Sequence, residues 1–186
     1  MTAADNSLVA VVDKRGSSLG DLPNTISIMS RRSTDNGKNW SEPVVVAQGG
    51  NGKTYGDPAV VLDKKTGNLI CMFVGDQGLW NATPYNRQGI YVSKSTDNGV
   101  SWSEPVAITD QVYANHSGWY AGFAGSGHGL CLKDGRLMFV LAIRATSATG
   151  VPLHNYAIYS DDGGDNWTLS TNACLLYTSD AADEAR

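Results

Sequence analysis

Short apolar runs alternate with polar, glycine-rich segments along most of the chain, which is the pattern of an antiparallel β protein. The runs are rich in Val, Ile, Leu and Phe, and Gly, Asn, Asp and Pro separate them. The clearest set predicts four strands, at residues 58–62, 69–74, 90–94 and 106–108. The second of these runs is apolar on both faces, as expected for a strand that lies between two packed layers.

Two further sets of apolar runs match this template on either side. They predict strands at residues 8–12, 26–32 and 44–47 in the early set, and at 129–132, 137–142 and 156–159 in the late set. The Asp134-Gly135 pair between the first two late runs predicts a tight hairpin. No stretch has the period of an amphipathic helix, so we expect an all-β fold.

An eight-residue pattern, Ser-x-Asp-x-Gly-x-x-Trp, occurs once in each set. Its copies begin at Ser33, Ser95 and Ser160, which are 62 and 65 residues apart. In a tight turn the Asp can accept backbone N–H groups, the Ser can bridge the turn, and the Gly can adopt a positive φ. The Trp can fold back over the turn. We interpret the pattern as a structural turn rather than a calcium loop, because the distant Glu of an EF-hand loop is absent.

Similar units of four short strands, repeated at a nearly constant period, predict the blades of a β-propeller. A β-sandwich is the rival fold, but it does not explain why the same turn recurs at the same register. Three repeats predict about three blades, whereas closed propellers have about four to eight. We therefore expect the chain either to be a fragment or to assemble with something else.

The last residues do not continue the blade pattern. Residues 174–186 resemble the conceptual translation of a sequencing-library adapter, so we treat them as a non-native tail. The partial propeller is therefore assigned to residues 1–173.

Composition and charge exclude several classes of function. The net charge is −4 and 17% of residues are charged, so no basic stripe points to a nucleic-acid partner. No run of about 18 apolar residues predicts a membrane-spanning helix, and no signal peptide is visible after Met1. The three Cys and three His lack the spacing of a metal site, and no cofactor is predicted. Cys71 and Cys131 lie in apolar runs and are expected to be buried thiols.

Three polar stretches lie near predicted strand ends and are candidates for chemistry. The first runs from Asp13 through Arg15 to Asp21, the second is the Tyr-Gly-Asp-Pro segment with Asp57, and the third covers residues 119–129. Taken alone, the arginine and aspartates of the first stretch could be a surface ion pair. Asp57 could equally be an ordinary residue at the start of a strand.

The aromatic and histidine candidates are weaker. Trp80 and Trp119 are more often packing residues than ligand contacts. His128 lies between two glycines, and we interpret it as a loop residue with no assigned role.

The repeated turn, together with the segment from Leu8 through Arg15 to Asp21, resembles the bacterial exo-α-sialidases, also called neuraminidases. In that family the turn is called the Asp box, and the catalytic domain is a six-bladed propeller. The resemblance covers residues 1–173. It implies a glycoside hydrolase that acts on sialylated glycans, and a secreted or periplasmic location.

The same resemblance implies roles for four residues. Asp21 would be the general acid that protonates the departing glycosidic oxygen, and then the base that activates water. Arg15 would bind the sugar near its carboxylate and O4 by charge-assisted bonds. Asp57 would line the pocket near O4 or the N-acetyl group, and Trp80 would face the N-acetyl methyl group. The nucleophile of this family is a tyrosine, which avoids repulsion from the negative charge of the sugar.

Other residues of the family have no match in residues 1–173. These are the arginine of an Arg-Ile-Pro motif, a glutamate, the tyrosine nucleophile and two further arginines. We therefore expect the chain to hold the acid/base half of a site and to be inactive alone. Two alternatives stay open: a non-catalytic Asp-box propeller that binds glycan or protein, and an Asp-box glycosidase that acts on neutral polysaccharide.

Overall fold

The computed structural model describes residues 1–16, 18–125, 127–146 and 153–171. The early part of the chain forms β1 (Leu8–Arg15), β2 (Ile26–Ser33) and β3 (Val44–Ala47). The middle part forms β4 (Tyr55–Leu62), β5 (Leu69–Gly75), β6 (Gly89–Ser95) and β7 (Val106–Ala107), followed by the helix α1 (Thr109–Tyr113). The late part forms β8 (Ala121–Ala124), β9 (Gly127–His128), β10 (Leu130–Cys131), β11 (Leu137–Arg144), β12 (His154–Ser160) and β13 (Thr168–Leu169). The predicted tail, residues 174–186, lies outside the described residues.

The strands form three sheets whose order follows the chain. The first sheet has the order β1-β2-β3, and the second has the order β7-β6-β5-β4-β9. The third has the order β10-β11-β12-β13, with β8 paired to the other end of β11. Every pair is antiparallel except β4 with β9, which therefore ties the late segment to the middle sheet. These sheets are successive blades of a partial β-propeller, and within the described residues they do not close into a ring.

The core lies between the blades, and β5 is at its centre. Every residue of β5 is buried, which confirms the prediction of a strand that is apolar on both faces. Successive side chains of a strand point to opposite faces. Accordingly, Ile70 and Met72 share a core cluster with Leu141 of the third blade. Cys71 and Phe73 instead share one with residues of the first blade such as Ile28.

The antiparallel registers define two ends of the structure. Ser33, Ser95 and Ser160 end β2, β6 and β12 at one end, here called the Asp-box end. The opposite end, here called the loop end, carries the connections β1–β2, β3–β4, β5–β6 and β7–β8. Neighbouring blades are joined there by hydrogen bonds. The Ile26 N–H donates to Thr54 Oγ1 at 3.1 Å, and the Gln88 N–H donates to the Tyr120 carbonyl at 3.0 Å.

The three Asp-box turns have the same internal hydrogen bonds, as the sequence pattern predicts. In each, the Ser Oγ accepts the Gly N–H at 2.8 Å and donates to the Asp carboxylate at 2.8 Å. The carboxylate also accepts the N–H of the residue four positions ahead, at 2.8–2.9 Å. The glycines have φ values of 83°, 84° and 86°, a region that disfavours residues with a Cβ. The turns are therefore self-contained clasps.

The tryptophans of the turns do not all behave alike. Trp40 and Trp167 donate to the Gly carbonyl of their own turn at 3.2 Å. Trp102 instead donates to the Oγ of Ser30, which is fully buried in the first blade, at 2.8 Å. The second Asp box therefore fastens two blades together.

The all-β prediction is confirmed, but the fourth middle strand is one residue shorter than predicted and a short helix follows it. The strand ends at Ala107, and α1 follows, with Val112 and Tyr113 buried against the core. Only five residues make the helix, so the apolar positions cannot establish a helical period in the sequence.

The late strand predicted at residues 129–132 is wrong in part. Only Leu130–Cys131 pair with the start of β11, whereas Ala121–Ala124 pair with its end. An added Cβ at Gly122 in β8 would collide with the end of the buried Ile143 side chain, which would have to shift. Small residues give a weak strand signal, which explains the miss. Cys71 is buried and free as predicted, whereas the free Cys131 is only half-buried.

Candidate active site

The loop end carries a cleft of about 340 Å³ that gathers three of the four predicted site residues. Its walls come from the β1–β2 connection, the start of β4, the β5–β6 connection and β8. The lining residues are Asp21, Leu22, Asp57, Gly78, Leu79, Trp80, Asn81, Gln88 and Phe123. Arg15, the fourth predicted residue, is outside this lining and reaches the cleft through Asp21.

Arg15 ends β1 and organises the connection that follows it. Its Nη1 donates to the Leu19 carbonyl at 2.7 Å, and its Nη2 donates to Asp21 Oδ1 at 3.1 Å. The carboxylate of Asp13 lies 3.8 Å from the same nitrogen. The predicted ion pair therefore exists. An exposed pair of this kind contributes little to stability, so its effect here is to orient the two side chains.

Asp21 is held at the mouth of the cleft by the residue after it. The Leu22 side chain is buried in a cluster with Ile26 and Val74, and this anchors the connection to the core. Gly78 packs against Leu22 from the β5–β6 connection, where an added Cβ would collide with the Leu22 carbonyl. The Asp21 side chain is itself 70% exposed, so it can reach a ligand in the cleft.

Asp57 occupies a strained position inside β4. Its φ is 54°, and the β4–β5 register shifts between Gly56 and Ala59, so it lies on a β-bulge. Burial raises the pKa of the Asp57 carboxyl to about 6, and the charges of Asp21 and Asp13 add to this, opposed by Arg15. The carboxyl therefore titrates in mildly acidic solution.

Asp13 is a third carboxyl beside Arg15. Burial raises its pKa, the Arg15 charge lowers it, and the Asp21 charge raises it further. Its Oδ1 is buried and has no hydrogen-bond partner among the described residues. The charge of Arg15 thus acts on the carboxyl groups of Asp13, Asp21 and Asp57.

Trp80 lies in the β5–β6 connection with 43% of its surface exposed. The guanidinium of Arg144, the last residue of β11, lies over its ring at 5.6 Å from the ring centroid. Arg144 is only 3% exposed, and sequence reasoning missed it. The available signal was weak: a single charge at the end of an otherwise apolar run.

Gln88 was also missed. It is buried in the cleft wall, and its Oε1 accepts the Gly122 N–H at 3.2 Å. It couples the second blade to β8 of the third. Nothing in its sequence context distinguishes it from an ordinary loop residue.

The third predicted stretch, residues 119–129, contributes only Phe123 to the cleft. Trp119 is a packing residue, which is the role that the sequence favoured: it is buried and stacks on His116 at 3.7 Å. His128 is in β9, paired with Val60, rather than in a loop.

The described residues contain neither a cluster of metal ligands nor a membrane-spanning helix. Among these residues, no group of three or more His, Cys, Asp or Glu side chains is placed to hold a metal ion. No helix formed by this part of the chain has the length and apolarity needed to cross a membrane.

The fold and the cleft define an Asp-box propeller with a carboxylate-rich site, supported by one arginine, at the end opposite its boxes. Comparison with known families gives the same class. The family model of the BNR repeat-like domain matches the sequence over residues 1–179, so the chain belongs to this family.

Relatives of the chain include sialidases. The chain is 32% identical to a sialidase of Bacteroides fragilis over 93% of its own length and 34% of that protein. It is 34% identical to a sialidase of Micromonospora viridifaciens over 88% of its length and 27% of that protein. Among solved structures, the Hadza microbial sialidase Hz136 matches 92% of this chain and 36% of its own, with 28% identity and a TM-score of 0.81. The chain thus spans about a third of the length of these relatives.

Proposed function

We propose that this chain contributes the acid/base half of the active site of a retaining exo-α-sialidase, which removes terminal sialic acids from glycoconjugates. The observation that carries the proposal is the Arg15–Asp21 pair at the mouth of a cleft that also contains Asp57 and Trp80. The sialidase relatives support it.

Asp21 is the proposed general acid and base. Its exposed carboxyl is at the mouth of the cleft, where a departing glycosidic oxygen must leave toward solvent. Arg15 fixes the orientation of one carboxylate oxygen and leaves the other for proton transfer. The same guanidinium is the proposed contact for the sugar near its carboxylate and O4.

Asp57, at the start of β4, and Trp80, in the β5–β6 connection, are the proposed binding residues. A carboxyl with a pKa of about 6 is protonated in mildly acidic solution, where it can donate a hydrogen bond to a sugar hydroxyl as well as accept one. The partly exposed indole of Trp80 offers apolar surface for the methyl group of an N-acetyl substituent.

The nucleophile is the part of the site that the described cleft does not supply. Its lining residues include no tyrosine and no glutamate among the described residues. Retention requires a nucleophile on the face of the sugar opposite the leaving group, and a neutral tyrosine suits a substrate that carries its own carboxylate. We therefore expect the 186-residue chain alone to have no sialidase activity.

The test compares two proteins on one substrate. The purified 186-residue chain and the product of the longest open reading frame that encodes residues 1–173 are each given a fluorogenic sialoside. We expect release of the fluorophore by the second protein only. A fluorogenic galactoside serves as the neutral-sugar control and should not be cleaved.

Three other results would each point to a different conclusion. Hydrolysis of the sialoside by the 186-residue chain would contradict its proposed inactivity. Cleavage of the galactoside in place of the sialoside would favour a glycosidase that acts on neutral sugars. Glycan binding by the longer product without any hydrolysis would favour a non-catalytic propeller.

A further inference from the structure

Arg144 is a buried charge that the proposed chemistry does not use. It ends β11 in the third blade and is 3% exposed. A buried charge is costly unless it is paired or fully hydrogen-bonded. Among the described residues it forms no salt bridge with a carboxylate. A charge buried in this way needs an explanation.

Among the described residues, the hydrogen bonds of the Arg144 side chain all go to backbone carbonyls. Two of these carbonyls belong to the second blade. Nη1 donates to the carbonyl of Leu79, and Nη2 donates to that of Ala82 at 3.2 Å. Nε donates to the carbonyl of Thr146 at 2.9 Å. The two acceptors in the β5–β6 connection flank Trp80, so one guanidinium fixes the backbone before and after this side chain.

The guanidinium also contacts the Trp80 ring directly. Its central carbon lies 5.6 Å from the centroid of Trp80 and 5.2 Å from that of Tyr120. A cation over an aromatic face stabilises one orientation of the ring, and more strongly when water is excluded. The 43% of Trp80 that stays exposed is then available to the cleft.

An arginine can hold this arrangement, and a lysine cannot. The planar guanidinium offers five N–H donors in fixed directions and can stack on aromatic rings while it bonds carbonyls. A lysine ammonium is a point charge on a flexible stem, and it cannot reproduce both contacts.

We propose that Arg144 is a positioning residue that holds Trp80 against the cleft and thereby sets which N-acyl substituent of the sugar the cleft accepts. The second half of this statement rests on the proposed function, since it takes the sugar to be a sialic acid. The first half concerns the protein alone and can be tested without any substrate.

The substrate-free test is amide hydrogen exchange on the 186-residue chain. The N–H groups of Asn81 and Ala82 both donate to the Gly78 carbonyl at 3.0 Å and report on the connection that Arg144 holds. We expect Arg144→Lys to accelerate exchange at these two amides by about tenfold, because bonds to a charged donor are lost. Arg136→Lys is the matched control. Arg136 directly precedes β11 but pairs with Asp161. Its substitution should leave the exchange rates of the Asn81 and Ala82 amides unchanged.

The substrate test uses the longer product described above. We expect Arg144→Lys to raise KM for an N-acetyl sialoside by about tenfold while kcat changes by less than about twofold, because the contact acts in binding. The preference of Arg144→Lys for the N-acetyl over the N-glycolyl sialoside should be smaller than that of the wild type. In a Trp80→Ala background the lysine should add no further change, since Arg144 acts through Trp80.

The two tests separate the two proposals. Unchanged exchange at Asn81 and Ala82 in Arg144→Lys would overturn the positioning role. An equal KM effect with and without Trp80 would overturn the route through the indole. If the longer product cleaves no sialoside, the proposed function fails, and the exchange result still decides whether Arg144 positions the connection.

Discussion

At the scale of single residues, Asp57 shows how a fold can alter the chemistry of one carboxyl group. It lies on a bulge with φ of 54°, where Asp and Asn are among the few side chains that tolerate the conformation. It is also partly buried near the charges of Asp21 and Asp13, and together these raise its pKa to about 6. The unfolded chain keeps the ordinary value of 3.8.

This difference predicts a pH dependence of stability. The folded protein binds a proton at Asp57 more tightly than the unfolded chain does, so this proton stabilises the folded state. Its contribution to the free energy of unfolding is complete below about pH 4 and is lost as the pH rises through about 6. Asp57→Asn removes the charge and keeps the shape. We expect its free energy of unfolding, relative to the wild type, to rise between pH 4 and pH 7 in urea titrations.

Asp162→Asn is the control for that titration. Hydrogen bonds from the backbone and side chain of Asn166 lower the pKa of Asp162 to about 2. Its contribution is therefore present above about pH 4 and is lost between about pH 4 and pH 2. The difference in free energy of unfolding between Asp162→Asn and the wild type should therefore be constant from pH 5 to 8. A constant difference for Asp57→Asn over the same range would contradict our account of Asp57.

Single residues of the site were predictable only where they belong to a recognisable stretch. Arg15, Asp21 and Asp57 are polar groups beside strong strand signals, and the structure brings the two aspartates to one cleft. Arg144 and Gln88 were missed, because their importance comes from contacts with another blade. Such long-range contacts leave no local pattern in a sequence.

At the scale of elements, the Asp box is the unit that the sequence specifies most completely. Its Ser, Asp and Gly each make the contact that their chemistry predicts, because all three act within eight residues. The short helix α1 was not predictable, and neither was the division of one strand into β8 and β10. Packing against neighbouring strands defines both features.

The buried serine of the box is predicted to be its most sensitive position. Ser95 is 1% exposed and accepts the Gly99 N–H at 2.8 Å. Ser95→Ala leaves that buried N–H without its acceptor, and we expect a loss of about 1–3 kcal/mol in the free energy of unfolding. Ser101→Ala, at an exposed position of the same turn, should cost less than about 1 kcal/mol. Equal losses in urea denaturation would show that the buried hydroxyl has no special role.

At the scale of the whole molecule, scaffold and chemistry are separated. The Asp boxes occupy one end and clamp the outer strands, and Trp102 extends one box into the neighbouring blade. The cleft lies at the other end, where each wall comes from a different connection. The repeat period was enough to predict blades and their number, whereas the geometry of the cleft depends on how the blades pack.

The central claim is that Asp21 delivers a proton to the leaving group of a sialoside. The most direct measurement is the kcat of Asp21→Asn in the longer product, with two substrates that differ only in their leaving group. For an alkyl sialoside, which needs a proton to depart, we expect kcat to fall by about 10²- to 10⁴-fold. For an activated aryl sialoside the fall should be much smaller, and KM should change little in both cases. Asp134→Asn, at the Asp-box end, should match the wild type. An unchanged kcat, or an equal loss on both substrates, would contradict the assignment of Asp21 as the general acid.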